Sequence, residues 1–124
     1  MNLSSKVNLL LGLQLQMKIN HFQTKGIARH EAFGKTYDAL TEPIDEFVEI
    51  AMGKYGRFTL DEDTKTINLV NISEINPVDM VKVCIEALIE FSYDLDDRLD
   101  TDLLNLRDEI LGLLNKLLYL LTLE

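Results

Sequence analysis

The chain has one cysteine, Cys84, so no disulfide framework holds it together and its stability has to come from packing. Cys84 lies in the apolar helical pattern VKVCIEALIEF and reads as a small buried hydrophobe. Basic residues are also scarce. Twelve Lys and Arg stand against 21 Asp and Glu, a net charge of −9, which argues against nucleic acid as a partner, because that attachment depends on basic side chains neutralising phosphates. No apolar run is long enough to span a membrane. Asn115 and Lys116 interrupt the most apolar segment, and that segment lacks the basic face of a membrane-surface helix. No charged n-region with a short apolar core and a small-residue cleavage site opens the chain, so the expected location is intracellular, in the cytoplasm.

What is present suits one helical domain over residues 1–124, with 47% hydrophobic residues and no low-complexity tract. Ser4 or Ser5 is placed to cap a first helix that continues to about Gln23, with Val7, Leu10, Leu13 and Met17 as its buried stripe. Leu9, Leu11 and Leu15 add apolar surface on other sides, as a subunit contact would. Lys25-Gly26 closes that helix, Gly being tolerant of the left-handed conformation. A second helix is predicted over about Ala28–Lys54, kinked at Pro43. Tyr55–Asn76 is polar and β-branched and reads as a connection, within which Ile67, Leu69 and Ile72 alternate as in a brief strand. Asn76-Pro77 opens a third helix running to about Asp94. The aspartate-rich YDLDDRLDTD lacks the glycine and glutamate spacing of a calcium loop and reads as a capping turn, with Asp100 or Thr101 as the cap of the fourth helix. Leucines surround that last helix, which predicts one face in the bundle and another against neighbouring subunits.

The candidate chemistry is concentrated between His21 and Glu49, a stretch that holds both histidines. Asp45 and Glu49 are four residues apart, one above the other on a helix. Two stacked carboxylates repel unless a cation or proton lies between them. The same residues, with Glu46, also read as a solvated acidic face. His30 precedes Asp45 by fifteen residues, close to four turns, and so lies on a similar side of the helix but about 22 Å along its axis. One helix therefore cannot close a compact site with all three. A shared metal would need His30 from one copy and Asp45 with Glu49 from another copy running antiparallel.

The order His21-Phe22-Gln23-Thr24-Lys25-Gly26, then His30-Glu31, then Ile44-Asp45-Glu46 and Glu49 resembles the signature of the Dps-type miniferritins of the ferritin-like superfamily. Asp45 and Glu49 match that family's offsets from the second histidine. Two departures stand beside the match: the turn between the histidines is three residues shorter, and Gly34 occupies the place, four past His30, where the family commonly has an acidic ligand. Asp38 is one turn further on and does not match. The resemblance implies an all-α, ferritin-like four-helix bundle with a long connection between the second and third helices. It also implies a ferroxidase-type iron site in which His21 and His30 of one subunit face Asp45 and Glu49 of its twofold mate, with one ligand missing. The ligand types suit Fe, Zn and Mn. Self-association as a twofold dimer and a larger homo-oligomer such as a dodecamer comes with the resemblance, whose nearest character is that of short phage-encoded Dps-like proteins. The expected function is iron binding, with oxidation and storage if the site is active. The alternative is a degenerate ferritin-like structural or interaction protein without ferroxidase activity.

Overall fold

Helices make up most of the chain: α1 (Leu3–Gln23), α2 (Ile27–Tyr55), α3 (Pro77–Phe91) and α4 (Thr101–Leu120). They are seen in a computed structural model that describes residues 1–123, and no strand occurs among the described residues. The helix ends follow capping chemistry, with corrections to the sequence reading. Asn2, not a serine, caps α1: its Oδ1 accepts the Ser5 N–H at 3.1 Å and the Ser4 hydroxyl at 2.8 Å, satisfying a donor that the first turn leaves unpaired. Gly26 is extended at φ −85° and ψ 137° and precedes α2, so the short turn needs no left-handed residue there. Gly56, which follows α2, takes φ 90°, the conformation for which glycine is favoured. α2 is assigned as one helix through Pro43.

Asn76 accepts the Val78 N–H at 2.9 Å, with Pro77 at the first helical position. α3 stops at Phe91 rather than Asp94. There the Lys6 ammonium of α1 takes the Phe91 carbonyl and the Asp94 carboxylate together, and the chain turns between them. Asp100 stands before α4 but makes no side-chain cap bond. Its carboxylate instead accepts the Tyr55 hydroxyl and, at 2.8 Å, the Asp96 N–H.

α1 lies against α2 and α3, α4 lies against the same two, and neither diagonal pair is in contact. His21 meets His30 at one end, Lys6 of α1 meets Asp94 at the other, and Lys54 meets Asp102 there as well. α1 and α4 therefore point one way and α2 and α3 the other. Parallel α2 and α3 require a connection that returns along the bundle, and residues 56–76 make that return as a strap on α1. Asn8 Nδ2 donates to the carbonyls of Thr64 at 3.1 Å and Thr66 at 2.7 Å. Gln16 both donates to the Val70 carbonyl at 2.9 Å and accepts its N–H at 3.0 Å. Gln23 accepts the Ile72 N–H at 2.8 Å and donates to Asn71 Oδ1 at 2.9 Å. The alternation at Ile67, Leu69 and Ile72 thus marks an extended segment whose backbone is met by amide side chains rather than by a neighbouring strand.

The core draws Leu10 and Met17 from α1, Phe33, Leu40 and Phe47 from α2, Leu88 from α3 and Leu114 from α4, all at 0% exposure. The α1 stripe expected from spacing is buried, and so is Cys84, whose thiol burial pushes up to about 11. On α4 the flanking Leu104, Leu111, Leu113 and Leu118 pack against the core of the same chain. That leucine surplus is largely absorbed without a second subunit. On α1 it is not, since Leu11, Leu15 and Phe22 remain exposed.

Candidate metal centre

His21 is in the last turn of α1 and His30 in the first turn and a half of α2, brought together by the turn at residues 24–26. The last carbonyls of a helix have no partner within it. His30 answers one of them: its Nδ1 donates to the His21 carbonyl at 2.8 Å. His21 reciprocates, its Nδ1 donating to the His30 carbonyl at 2.7 Å. The rings stack with centroids 3.9 Å apart and planes 23° from parallel.

A carbonyl oxygen only accepts, so each Nδ1 carries a hydrogen. In the neutral imidazole the other nitrogen, Nε2, then holds a lone pair, and neither Nε2 has a hydrogen-bond partner among the described residues. Fixing one ring nitrogen through a backbone carbonyl is how a protein orients the other toward a metal or a proton. Both rings line one surface pocket with Gly34, Glu31, Lys35 and Asp38.

Gly34 is part of the arrangement. A Cβ built there would stand 2.8 Å from His21 Nδ1 and 2.9 Å from its Cε1. The missing side chain is the space that the ring uses. Nearby, the Lys18 ammonium lies over the rings of Phe22 at 5.2 Å and Tyr37 at 4.7 Å, and Arg29 ties the start of α2 to the Leu121 carbonyl at 3.3 Å.

Asp45 and Glu49 are both exposed on α2, fifteen and nineteen residues past His30, so within one chain they do not meet the histidines. Neither makes a hydrogen bond or ion pair among the described residues. No three His, Cys, Asp or Glu side chains of the described residues gather in a metal-holding group. One chain brings together two imidazoles, with Glu31 and Asp38 lining the same pocket.

The opposite end of the bundle holds a polar cluster that sequence reasoning missed. Lys6 is 5% exposed, bonded to Asp94 at 2.6 Å with its ammonium 4.9 Å from the Phe91 ring centre. Its signal was a lysine within a helical stripe of leucines. Lys54 donates to the Leu99 carbonyl at 2.7 Å and to Asp102 at 3.0 Å. The hydrogen bond to Asp100 pushes the Tyr55 hydroxyl up to about 12. These groups bond one another, with Asp94 and Asp102 about half exposed.

Residues 21–121 match a family of unknown function (DUF5856). An uncharacterized 14.6 kDa protein in the mobD-ri intergenic region of Enterobacteria phage T4 is 29% identical over 118 residues, 95% of this chain and 86% of that protein. No solved structure matches. No helix among the described residues is long and apolar enough to cross a membrane. The matched region begins at His21 and takes in His30, Gly34, Asp45 and Glu49.

Proposed function

This chain belongs to the DUF5856 family of unknown function, and from that premise we propose that it is a self-associating, ferritin-like bundle of the Dps kind that holds a transition-metal ion between subunits. One subunit gives His21 and His30, and its twofold mate gives Asp45 and Glu49. The observation that carries the reading is the pair of Nδ1–H bonds to backbone carbonyls, which leaves both Nε2 lone pairs for a ligand. That pattern is the ordinary outer support of a metal-bound histidine.

Three further features support it. The direction of the helices, with α2 and α3 parallel and a strap returning along α1, is the arrangement of ferritin-like bundles with a long crossover. Asp45 and Glu49 are exposed and unpaired, as ligands offered to another subunit have to be. Leu11, Leu15, Phe22 and Ile27 expose apolar surface on the α1–α2 side, Ile27 at 75%, which a second copy running antiparallel would cover.

Imidazole and carboxylate donors suit iron, zinc and manganese, and the family resemblance makes iron the first ion to test. Bound iron would supply one-electron redox chemistry, while the residues of this chain bind and orient it. The test is light scattering on the purified protein before and after anaerobic ferrous iron, with metal content determined on the same sample. We expect a dimer or larger particle that retains metal, and a His30→Ala protein that does not. A monomer that takes up no metal under any of these conditions would remove the reading.

A further inference from the structure

The strap that returns along α1 is bonded along one edge only. Its contacts with the helix all fall on even-numbered residues: Asn8 bonds the Thr64 and Thr66 carbonyls, Gln16 bonds both the N–H and the carbonyl of Val70, and Gln23 bonds the Ile72 N–H. In an extended chain the backbone groups of alternate residues point to opposite edges. Ile67 and Leu69 therefore present their N–H and C=O groups on the edge turned from those amides. None of these groups has a hydrogen-bond partner among the described residues.

An unpaired edge of this kind is a template for another strand, and charge limits what can lie on it. The chain carries −9, yet Thr66–Ser73 contains no charged residue, and neither does Val7–Met17 of the helix beneath it. Leu69 is exposed on the strap, and Leu11 and Leu15 are exposed on the helix. A second copy of this acidic chain can approach here without setting like charges against each other. Two copies of one edge pair with closed twofold symmetry only when they run antiparallel.

We propose that two copies join strap to strap as a short antiparallel pair across a twofold axis at Asn68. Ile67 of each copy exchanges hydrogen bonds with Leu69 of the other, and the two Asn68 residues face each other. That centre suits the rest of the chain. Ile67 packs at the level of Gly12, its Cγ2 3.5 Å from where a Gly12 Cβ would stand, and nearby Gln14 bonds the Tyr37 carbonyl and the Thr41 hydroxyl of α2. At about 1.5 Å per residue, His21 and His30 stand about 13 Å to one side of this level and Asp45 and Glu49 about 9–15 Å to the other. A twofold axis there interchanges the two. The inference rests on the self-association in the reading above, not on its metal.

The test uses the full chain in solution. Sedimentation over a range of concentrations should show a dimer. Leu69→Pro removes the edge N–H, which bonds nothing within the chain's described residues, and should weaken the dimer by about tenfold or more. Leu69→Ala keeps that N–H and should weaken it less. With Cys84→Ala as background, Asn68→Cys should cross-link to its own copy on mild oxidation, because residues facing each other in a non-hydrogen-bonded antiparallel pair have Cα atoms about 4.5 Å apart, within disulfide reach. Thr66→Cys should not. In the wild-type chain the Ile67 and Leu69 amides should exchange freely at dilution and slow as the dimer forms, with Asn68 unchanged. A dimer that survives Leu69→Pro and leaves those amides fast would overturn the strap pairing and keep the self-association. A wild-type monomer at every concentration would overturn both and leave the edge to an extended segment of another protein. If Leu69→Pro does not fold, the Asn68→Cys cross-link and the wild-type amides decide the matter.

Discussion

Where α1 begins and α3 stops, the Lys6 ammonium is held by the Phe91 carbonyl and Asp94, Lys54 by the Leu99 carbonyl and Asp102, and Asp100 by the Tyr55 hydroxyl and the Asp96 N–H. At the other end, where α1 turns into α2, two imidazoles bond each other's backbone and leave a nitrogen apiece without a partner. The first end explains itself, since removing any member leaves another group unsatisfied. The second does not. Half of each ring is accounted for by structure, and the other half is available for a ligand.

Breaking the closed end should cost stability and leave untouched the metal binding proposed for the histidine end. Asp100 is 3% exposed, so Asp100→Ala, which strands the Asp96 N–H, should lower unfolding stability in urea by about 3 kcal/mol. Lys6→Ala should cost about 2 kcal/mol, because Asp94 is half exposed and water recovers part of the loss. His30→Ala reverses the pattern: about 1 kcal/mol of stability from the lost bond to the His21 carbonyl but, on the reading proposed above, loss of metal binding.

Titration sharpens the same contrast. Burial pushes the Asp94 carboxyl up, and the Lys6 hydrogen bond and charge together more than reverse it. The Leu99 and Arg98 N–H groups lower Asp96, and the Lys54 hydrogen bond lowers Asp102. The stability these groups lend is in place above about pH 4, the ordinary carboxylate value, and is lost as pH falls through their lower folded values. Acid should therefore loosen the α3–α4 turn, followed by NMR of its amides. The smallest effect is spectroscopic. Of four tyrosines, Tyr55 should ionise late, near 12, and an absorbance titration of Tyr55→Phe should lack that last step. Its raised value favours the folded state at lower pH, a contribution lost as pH rises through about 12.

The helices were legible because their signals are local. Apolar residues three and four apart marked the buried stripes of α1 and α2, and Asn76-Pro77 marked the start of α3 with cap and first helical residue together. What escaped the sequence depends on partners distant along the chain. Asn2 could be recognised as a cap only once the first turn was seen to start at Leu3. Asp100 looked like a cap because its preferred bond, to Tyr55, crosses 45 residues. The histidines were found by their order, but nine residues across a turn is no helical period, and nothing local announces that the rings stack. Gly34 was read as a missing ligand. A residue with no side chain gives no sign of what fills its place, and only the ring of His21 supplies that meaning.

The strap on α1 has a consequence in hydrogen exchange. Amides of irregular segments usually trade their protons with solvent rapidly, because no ladder protects them. Here the Val70 amide is bonded to the side-chain oxygen of Gln16, buried on α1, and the Ile72 amide to that of Gln23 at the exposed end of the same helix. Exchange at Val70 is then governed by the opening of α1, not of the strap, whereas the exposed Asn68 and Leu69 between the Asn8 and Gln16 contacts remain free to exchange at their own rate. A segment with no regular secondary structure would show an alternating pattern of slow and fast protons, set by glutamines that lie about fifty residues earlier in the chain.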